Sequence, residues 1–368
     1  MHVGDHAARL AEVTRLAGAE GIDAVLVTPG QDLQYLTGYD AVPLERLTCL
    51  VVRADGTAAL VLPRLEVLAA QASPLSGLDV ELRPWTELDD PYAMVADAVG
   101  PTRRVAVDNH MWAEKVLALR AALPGVDQVL AGPVISELRM RKDADEVAAL
   151  LGAGAAIDRV HAAVPSLLRA GRTEREVGAD IADLILQEGH VRVDFVIVGS
   201  GPNGASPHHE VSDRVIESGD VVVVDIGGTM PDGYRSDCTR TYAVGGAPEE
   251  FLRHYSVLAQ AQHAAVARAT VGTTCAEVDA AARDVLAEAG LGELFIHRTG
   301  HGIGLDTHED PYIVAGNDRP LEAGMAFSVE PGFYVEGRFG ARIEDIVIAS
   351  ADGPIVANRQ PRDLVVVP

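Results

Sequence analysis

An acid stands where each of four apolar strand segments ends or begins, and these four acids constrain the fold more than any other feature. The first pair of segments runs Val221-Val222-Val223-Val224-Asp225-Ile226-Gly227 and returns through Ser236-Asp237-Cys238-Thr239-Arg240. The second runs Phe327-Ser328-Val329-Glu330-Pro331-Gly332 and returns through Arg342-Ile343-Glu344-Asp345. Setting Asp225 opposite Asp237 centres the connection on residue 231, inside the turn sequence Pro231-Asp232-Gly233. Setting Glu330 opposite Glu344 centres the other on Gly337. Directly opposed side chains lie about 4.5–5.5 Å apart at Cβ, where like charges destabilise a sheet. Acids so placed need cations among them, and His301, in Gly300-His301-Gly302-Ile303-Gly304, adds a nitrogen ligand. The set reads as a two-metal hydrolytic site.

Composition narrows the partners. The chain of 368 residues is long enough for two domains and a large core, and its 48% hydrophobic but only 4% aromatic content makes that core chiefly Val, Leu, Ala and Ile. A formal net charge of −24 leaves no basic stripe to neutralise phosphates, so neither nucleic acid nor a membrane surface is expected as a partner. Met1 to Val13 is polar and charged, without the apolar run of a signal peptide. No stretch approaches the roughly 18 apolar residues that cross a bilayer. Three widely spaced cysteines (Cys49, Cys238, Cys275) give neither a disulfide framework nor a zinc knuckle, which fits a reduced cytoplasm.

Helix and strand alternate through the N-terminal third. Helical spacing covers Arg9 to Glu20, and strands fit Asp23 to Val27, Cys49 to Val52, Ala58 to Leu62 and Arg104 to Val107. This pattern predicts an α/β domain over residues 1–133, closed by the connection at Ala131-Gly132-Pro133. Residues 134–368 read as an α+β domain. Its helices are expected over Lys142 to Val164, Thr173 to Glu188, Glu250 to Ala269 and Cys275 to Ala289, with Thr173 and Glu176 forming a capping box.

Buried charge is expensive unless paired or bound to metal, and these acids lie on segments apolar enough to be buried. Hard oxygen donors with a single imidazole suit Mn²⁺, Co²⁺, Zn²⁺ or Fe²⁺. A pair of such ions would lower the pKa of a shared hydroxide-forming water and polarise a carbonyl, with Glu330 relaying the proton. His308, in Leu305-Asp306-Thr307-His308-Glu309, is placed to donate to a carbonyl or oxyanion. A Gly/Pro/Ser-rich loop carries Pro207-His208-His209, as a surface or an active-site imidazole. Arg342 shares a strand face with Glu344, and either pairs with a neighbouring acid or orients a metal carboxylate and meets substrate. Cys238 alternates away from Asp237 into the core. The remaining histidines (His2, His6, His110, His161, His190, His254, His263, His297) read as surface or core. Gly300, Gly302 and Gly304 lack the G-x-G-x-x-G spacing of a dinucleotide loop.

Val224-Asp225-Ile226-Gly227, Ser236-Asp237-Cys238-Thr239-Arg240-Thr241, Thr299-Gly300-His301-Gly302-Ile303-Gly304, Val329-Glu330-Pro331-Gly332 and Arg342-Ile343-Glu344-Asp345 together resemble the pita-bread metallopeptidases. The match is to the Xaa-Pro dipeptidases (prolidases) and aminopeptidase P, and a weaker N-terminal likeness rests on Gly21-Ile22-Asp23-Ala24 and Tyr35-Leu36-Thr37-Gly38. The resemblance implies a creatinase/prolidase-like N-terminal domain and a C-terminal pita-bread domain. It implies that Asp225 and Asp237 bind one metal, that His301 completes the other side, and that Glu330 and Glu344 contact both. It selects His208 over His209, and implies two divalent ions, Mn²⁺ foremost, a homodimer and a short proline-containing peptide as substrate. A carboxylate-binding arginine expected soon after Glu309 is replaced by Tyr312, leaving Arg298 or Arg338 as substitutes, so dipeptidase and aminopeptidase both stay open. The alternatives are a hydrolase of a non-peptide amide and a binding protein without catalysis.

Overall fold

The computed structural model describes residues 3–368, and the expectations for Met1 and His2 lie outside the described residues. The chain forms two compact units, Met1–Arg139 and Met140–Pro368. In the first, strands β1 (Ala24–Val27), β2 (Cys49–Arg53), β3 (Ala58–Pro63), β4 (Glu81–Trp85), β5 (Arg104–Val107) and β6 (Asp127–Leu130) form one sheet. They are accompanied by helices α1 (Val3–Ala19), α2 (Gln31–Thr37), α3 (Val67–Ala72), α4 (Pro91–Val99), α5 (Ala113–Ala122) and α6 (Gly132–Met140). The order is β4-β3-β2-β1-β5-β6, with β1–β2–β3 antiparallel and the outer pairings parallel. Helix α6 lies across the boundary expected at residue 133. Edge strands β4 and β6 carry polar, partly exposed residues and so lack the apolar run that marks the others.

The second unit begins with α7 (Ala144–Leu167) and α8 (Glu174–Gln187), each opened by a capping box: Asp143 with Glu146, and Thr173 with Glu176. Helix α7 is, against expectation, long and apolar enough by composition to cross a bilayer. Its Ile157, Val160 and Val164 instead pack with Val177 and Ile181 of α8 in a buried cluster. There follow β7 (Arg192–Ser200), β8 (Val221–Thr229), β9 (Arg235–Val244), α9 (Glu249–Arg268), α10 (Cys275–Glu288), β10 (Gly300–Gly302) and β11 (Glu309–Ile313). The chain ends with β12 (Ala326–Val329), β13 (Gly332–Val335), β14 (Phe339–Arg342), β15 (Asp345–Ile348), β16 (Ile355–Val356) and β17 (Val365–Val367). These make a four-stranded sheet, β17-β9-β8-β7, a five-stranded sheet, β11-β10-β12-β15-β16, and the ribbon β13–β14.

Alternation along β8 and β9 decides which side chains meet. Val222, Val224, Ile226, Cys238, Tyr242 and Val244 pack against the two helices. Asp225, Asp237 and Thr239 therefore share the opposite face. The register corrects one expectation: Asp225 pairs with Thr239, and Asp237 with Gly227. The aspartates are diagonal neighbours because a three-residue turn, Pro231–Gly233, is closed by Met230 N–H to the Tyr234 carbonyl (2.8 Å), with Gly233 at φ 90°. Diagonal placement, about 7–8 Å, also eases their repulsion.

In the second hairpin Val329 pairs with Asp345 and Gly332 with Arg342, the register that opposes Glu330 to Glu344. The ladder opens at those two acids. Glu330 N–H donates to the Thr299 carbonyl (2.8 Å) and Glu344 N–H to the Thr239 carbonyl (3.1 Å), which ties the second hairpin to the first. Glycines allow the close approach: a Cβ on Gly300 would lie 1.8 Å from the Ser328 carbonyl oxygen, and one on Gly302 2.2 Å from that of Asp310.

Arg240 secures the crossing from behind. Its buried guanidinium donates to Asp345 Oδ1 (2.7 Å) and to the carbonyls of Glu344 (2.6 Å), Gln360 (2.7 Å) and Pro361 (2.9 Å). Arg240→Met should lower stability by about 3–5 kcal/mol in urea denaturation, since it strands these buried acceptors. A loss under about 1 kcal/mol would show that Arg362 and Gln262, the other partners of Asp345, suffice.

Candidate metal centre

The open side of β8, β9, β10 and the β12–β15 hairpin faces a cavity of about 1340 Å³. Asp225, Asp237, His301, Glu330, Glu344 and Arg342 all line it. Ligand atoms of Asp237, His301 and Glu344 lie within 4.8 Å of one another, and all three residues are buried. Glu330 is partly open to the cavity, with Oε1 3.2 Å from His301 Nε2 and 2.9 Å from Ser328 Oγ. Asp237 Oδ2 is 3.7 Å from the same nitrogen.

Three features test whether these residues suit cations. Asp225 Oδ1 is buried with no hydrogen-bond partner, although Oδ2 is held by Arg342. An orphaned carboxylate oxygen is costly unless something electropositive meets it. His301 Nδ1 lies 3.1 Å from the Gly302 carbonyl, which can only accept, so Nδ1 carries the proton. In the neutral ring Nε2 then turns a lone pair toward Asp237 and Glu330, as a metal-binding imidazole would. Third, burial and the charges of neighbouring carboxylates drive Asp237 and Glu344 well above the usual range, and burial raises Asp225 against the pull of Arg342. Glu330 differs. Burial pushes it up, but His301, in the state where its Nε2 also carries a proton, together with His297 and Arg342, brings it down to about 2. The donor set fits divalent ions.

Arg342 does not stand free to meet substrate. Its guanidinium bonds Asp225 Oδ2, Tyr334 Oη (2.8 Å) and Thr239 Oγ1 (3.2 Å), and reaches the Pro207 carbonyl at 3.5 Å. Thr239 Oγ1 in turn donates to Glu344 Oε2 (2.6 Å), so one hydroxyl links the arginine to a second acid. Cys238 is buried in the core, as alternation requires.

His308 faces the cavity with its ring 4.0 Å from that of His301. Surrounding protein, then a protonated His301 and the charge of Arg298, hold its imidazole down to about 4. His208 also lines the cavity. His209 does too, but its Nε2–H is committed to Glu174 (2.7 Å). Sequence reasoning missed His297: read as surface or core, it lies in the cavity wall, with Nδ1 2.7 Å from the Arg298 carbonyl and Nε2 2.9 Å from Tyr334 Oη. Its position four residues before His301, with no strand or helix around it, gave no alternation from which to read its direction. Arg298 lines the cavity too, its guanidinium 4.4 Å above the ring of Tyr312, whereas Arg338 is bound to Glu250 at the surface (2.7 Å).

Comparison with known proteins agrees with this geometry. Residues 9–141 match the Creatinase/Prolidase N-terminal domain and residues 148–351 match metallopeptidase family M24. A probable dipeptidase PepE of Mycobacterium tuberculosis is 54% identical over 364 residues, 99% of this chain and 97% of that protein. An Xaa-Pro dipeptidase of Lactobacillus helveticus is 37% identical, covering 91% of this chain and 92% of its own. The crystal structure of dipeptidase PepE from Mycobacterium ulcerans superposes with a TM-score of 0.97 at 54% identity, over 100% of this chain and 99% of that one. The acids, the imidazole and both folded units thus lead to one conclusion: the chain belongs to metallopeptidase family M24 and carries the pita-bread fold behind a creatinase/prolidase N-terminal domain.

Proposed function

We propose that this protein hydrolyses the peptide bond preceding proline, chiefly in Xaa-Pro dipeptides, at two divalent ions held by Asp225, Asp237, His301, Glu330 and Glu344. The observation that carries the reading is the His301 lone pair aimed at two carboxylates, beside an orphaned Asp225 oxygen. Four carboxylates against the Arg342 guanidinium leave three negative charges, which one divalent ion would leave short by one and two divalent ions with one hydroxide would neutralise. Bound there, such ions lower the pKa of a water and polarise a carbonyl. Ionised Glu330 receives the water's proton at Oε2, since Oε1 is engaged by Ser328. Neutral His308 donates to the carbonyl oxygen as charge develops on it, and His208 adds a second imidazole from its loop. Arg342 keeps Asp225 aimed at the ions.

Proline's tertiary amide lacks an N–H, so a site dedicated to it has a use. The cavity has room for more than a dipeptide, so a limit on length has to come from a charge placed to meet the free carboxylate. Arg298 suits that role. Arg175, Arg235 and Arg342 are paired with Asp213, Asp194 and Asp225, while among the described residues Arg298 has no acidic partner. Tyr312, which breaks the expected pattern, carries Arg298 on its ring. Relatives named as dipeptidases support the same length preference. Oxygen donors with one imidazole favour Mn²⁺. Three buried free cysteines support a reducing cytoplasm, and exposed Leu65, Leu68, Leu88 and Trp112 on the N-terminal unit support a homodimer.

Metal binding should be proton-linked. Raised pKa values leave Asp237 and Glu344 protonated in the metal-free protein where ordinary carboxylates are ionised, so Mn²⁺ must displace those protons and bind more tightly as pH rises. Calorimetry in two buffers of different ionisation enthalpy reads this release directly. Asp237→Asn should diminish both the release and the bound metal with the circular dichroism unchanged. Binding without proton release would contradict the assignment.

Activity tests the substrate. Mn²⁺-loaded protein should cleave alanyl-proline and leave alanyl-prolyl-alanine largely untouched. Arg298→Ala should raise KM for the dipeptide about 10–100-fold, the loss of one charged hydrogen bond. Equal cleavage of the tripeptide would make the protein an aminopeptidase, and silence on both with metal bound would point to non-peptide amides.

A further inference from the structure

Glu174, the first residue of α8, is fully buried and far more heavily bonded than a helix needs. Its Oε1 accepts from Ser200 N (2.8 Å), Ser200 Oγ (2.7 Å) and Asn203 Nδ2 (3.0 Å). Its Oε2 accepts from His209 Nε2 (2.7 Å), Ser212 Oγ (2.6 Å) and Ser212 N (3.2 Å). No arginine or lysine side chain bonds to it among the described residues; Arg214 instead reaches Ser200 Oγ (2.6 Å), the Val215 carbonyl (3.3 Å) and Asp220. Burial alone would raise such an acid, but the donors from Ser212, Ser200 and His209 bring it to about 2, so it is ionised across the working range.

All of these donors belong to the end of β7 and the loop after it, residues 200–212. That loop has one short 3₁₀ turn, Gly201–Ala205, and no ladder to hold the remainder. His208 sits within it, and its ring has no hydrogen bond to protein among the described residues. Its neighbours are the fixed points. The Pro207 carbonyl faces Arg342 at 3.5 Å, and the His209 ring is anchored on Glu174. The backbone on either side of His208 is thus held, once from the metal-site side and once from the helix.

We propose that Glu174 is a positioning residue for hydrolysis: by gathering residues 200–212 onto one buried carboxylate, it presents the His208 imidazole to the substrate in the cavity. The inference rests on the reading that His208 takes part in turnover. It does not make Glu174 a catalytic residue, because it lines no part of the cavity.

Four Mn²⁺-loaded proteins test it on alanyl-proline: unaltered, Glu174→Gln, His208→Ala and the double variant. Glu174→Gln should lower kcat/KM about 10-fold or more through kcat, with metal content unchanged. In the His208→Ala background it should cost less than about two-fold, because the residue it serves is gone. Equal losses in both backgrounds would overturn the proposal and leave Glu174 a general stabiliser. Ser212→Ala, which deletes one donor, replaces Glu174→Gln in the same cycle if that protein does not fold. Should His208→Ala turn over normally, the catalytic reading of His208 fails by itself, and amide exchange then decides the clamp. Faster exchange at residues 206–212 with β8 unchanged supports it, and unchanged exchange overturns it.

Discussion

Crowding of like charge on one wall of a cavity is the constraint on which the rest of this structure turns. Asp225 and Asp237 lie within β8 and β9, Glu330 follows the end of β12 and Glu344 precedes β15, and Arg342 is the guanidinium that bonds among them. At an effective dielectric near 20, two unit charges 4 Å apart interact by about 4 kcal/mol, so several unrelieved pairs would outweigh the stability of an ordinary domain. The fold is tenable with protons on some of these acids or with divalent ions among them. The raised pKa values describe the first state, and the His301 lone pair and the orphaned Asp225 oxygen describe readiness for the second.

The scaffold holds this charge by making everything around it rigid. The strands that bring Asp225 and Asp237 are buried on both faces, with helices behind and the cavity in front. Glu344 is fixed twice, through its own N–H to β9 and through Thr239 Oγ1 to its carboxylate. Arg240 and Asp345 form a buried pair just behind, so the second hairpin cannot slide along the first. The imidazoles of His308 and His208, by contrast, come from segments with little regular structure, where mobility would be expected. A buried Lys142–Glu309 pair (2.5 Å) stands beside His308, and the Glu174 cluster stands beside His208. Charge buried under each loop does there what a hydrogen-bond ladder does for the strands.

Much of this was legible in the sequence, and the exceptions have physical causes. Alternation turned Cys238 of β9 away from Asp237 and into the core, because a period of two needs no tertiary information. Register needed the turn, and the three-residue loop at Pro231–Gly233 moved Asp225 from Asp237 to Thr239. Gly337 at φ 70° did mark the centre of the other hairpin, yet nothing in the sequence announced that the ladder opens at Glu330 and Glu344. Strands β4 and β6 were missed because sheet edges carry polar residues. His297 and Arg298 were unreadable for another reason: they sit in irregular backbone, where the direction of a side chain is set by contacts distant in sequence, here with Tyr334 and Tyr312.

The central claim is that these acids are gathered to hold cations, and diffraction tests it most directly. Anomalous scattering should be measured at the manganese edge from crystals grown with Mn²⁺. The account requires two peaks in the cavity wall, bounded by Asp225, Asp237, His301, Glu330 and Glu344. Peaks elsewhere, or no peak with these carboxylates hydrogen-bonded to one another through shared protons, would contradict it.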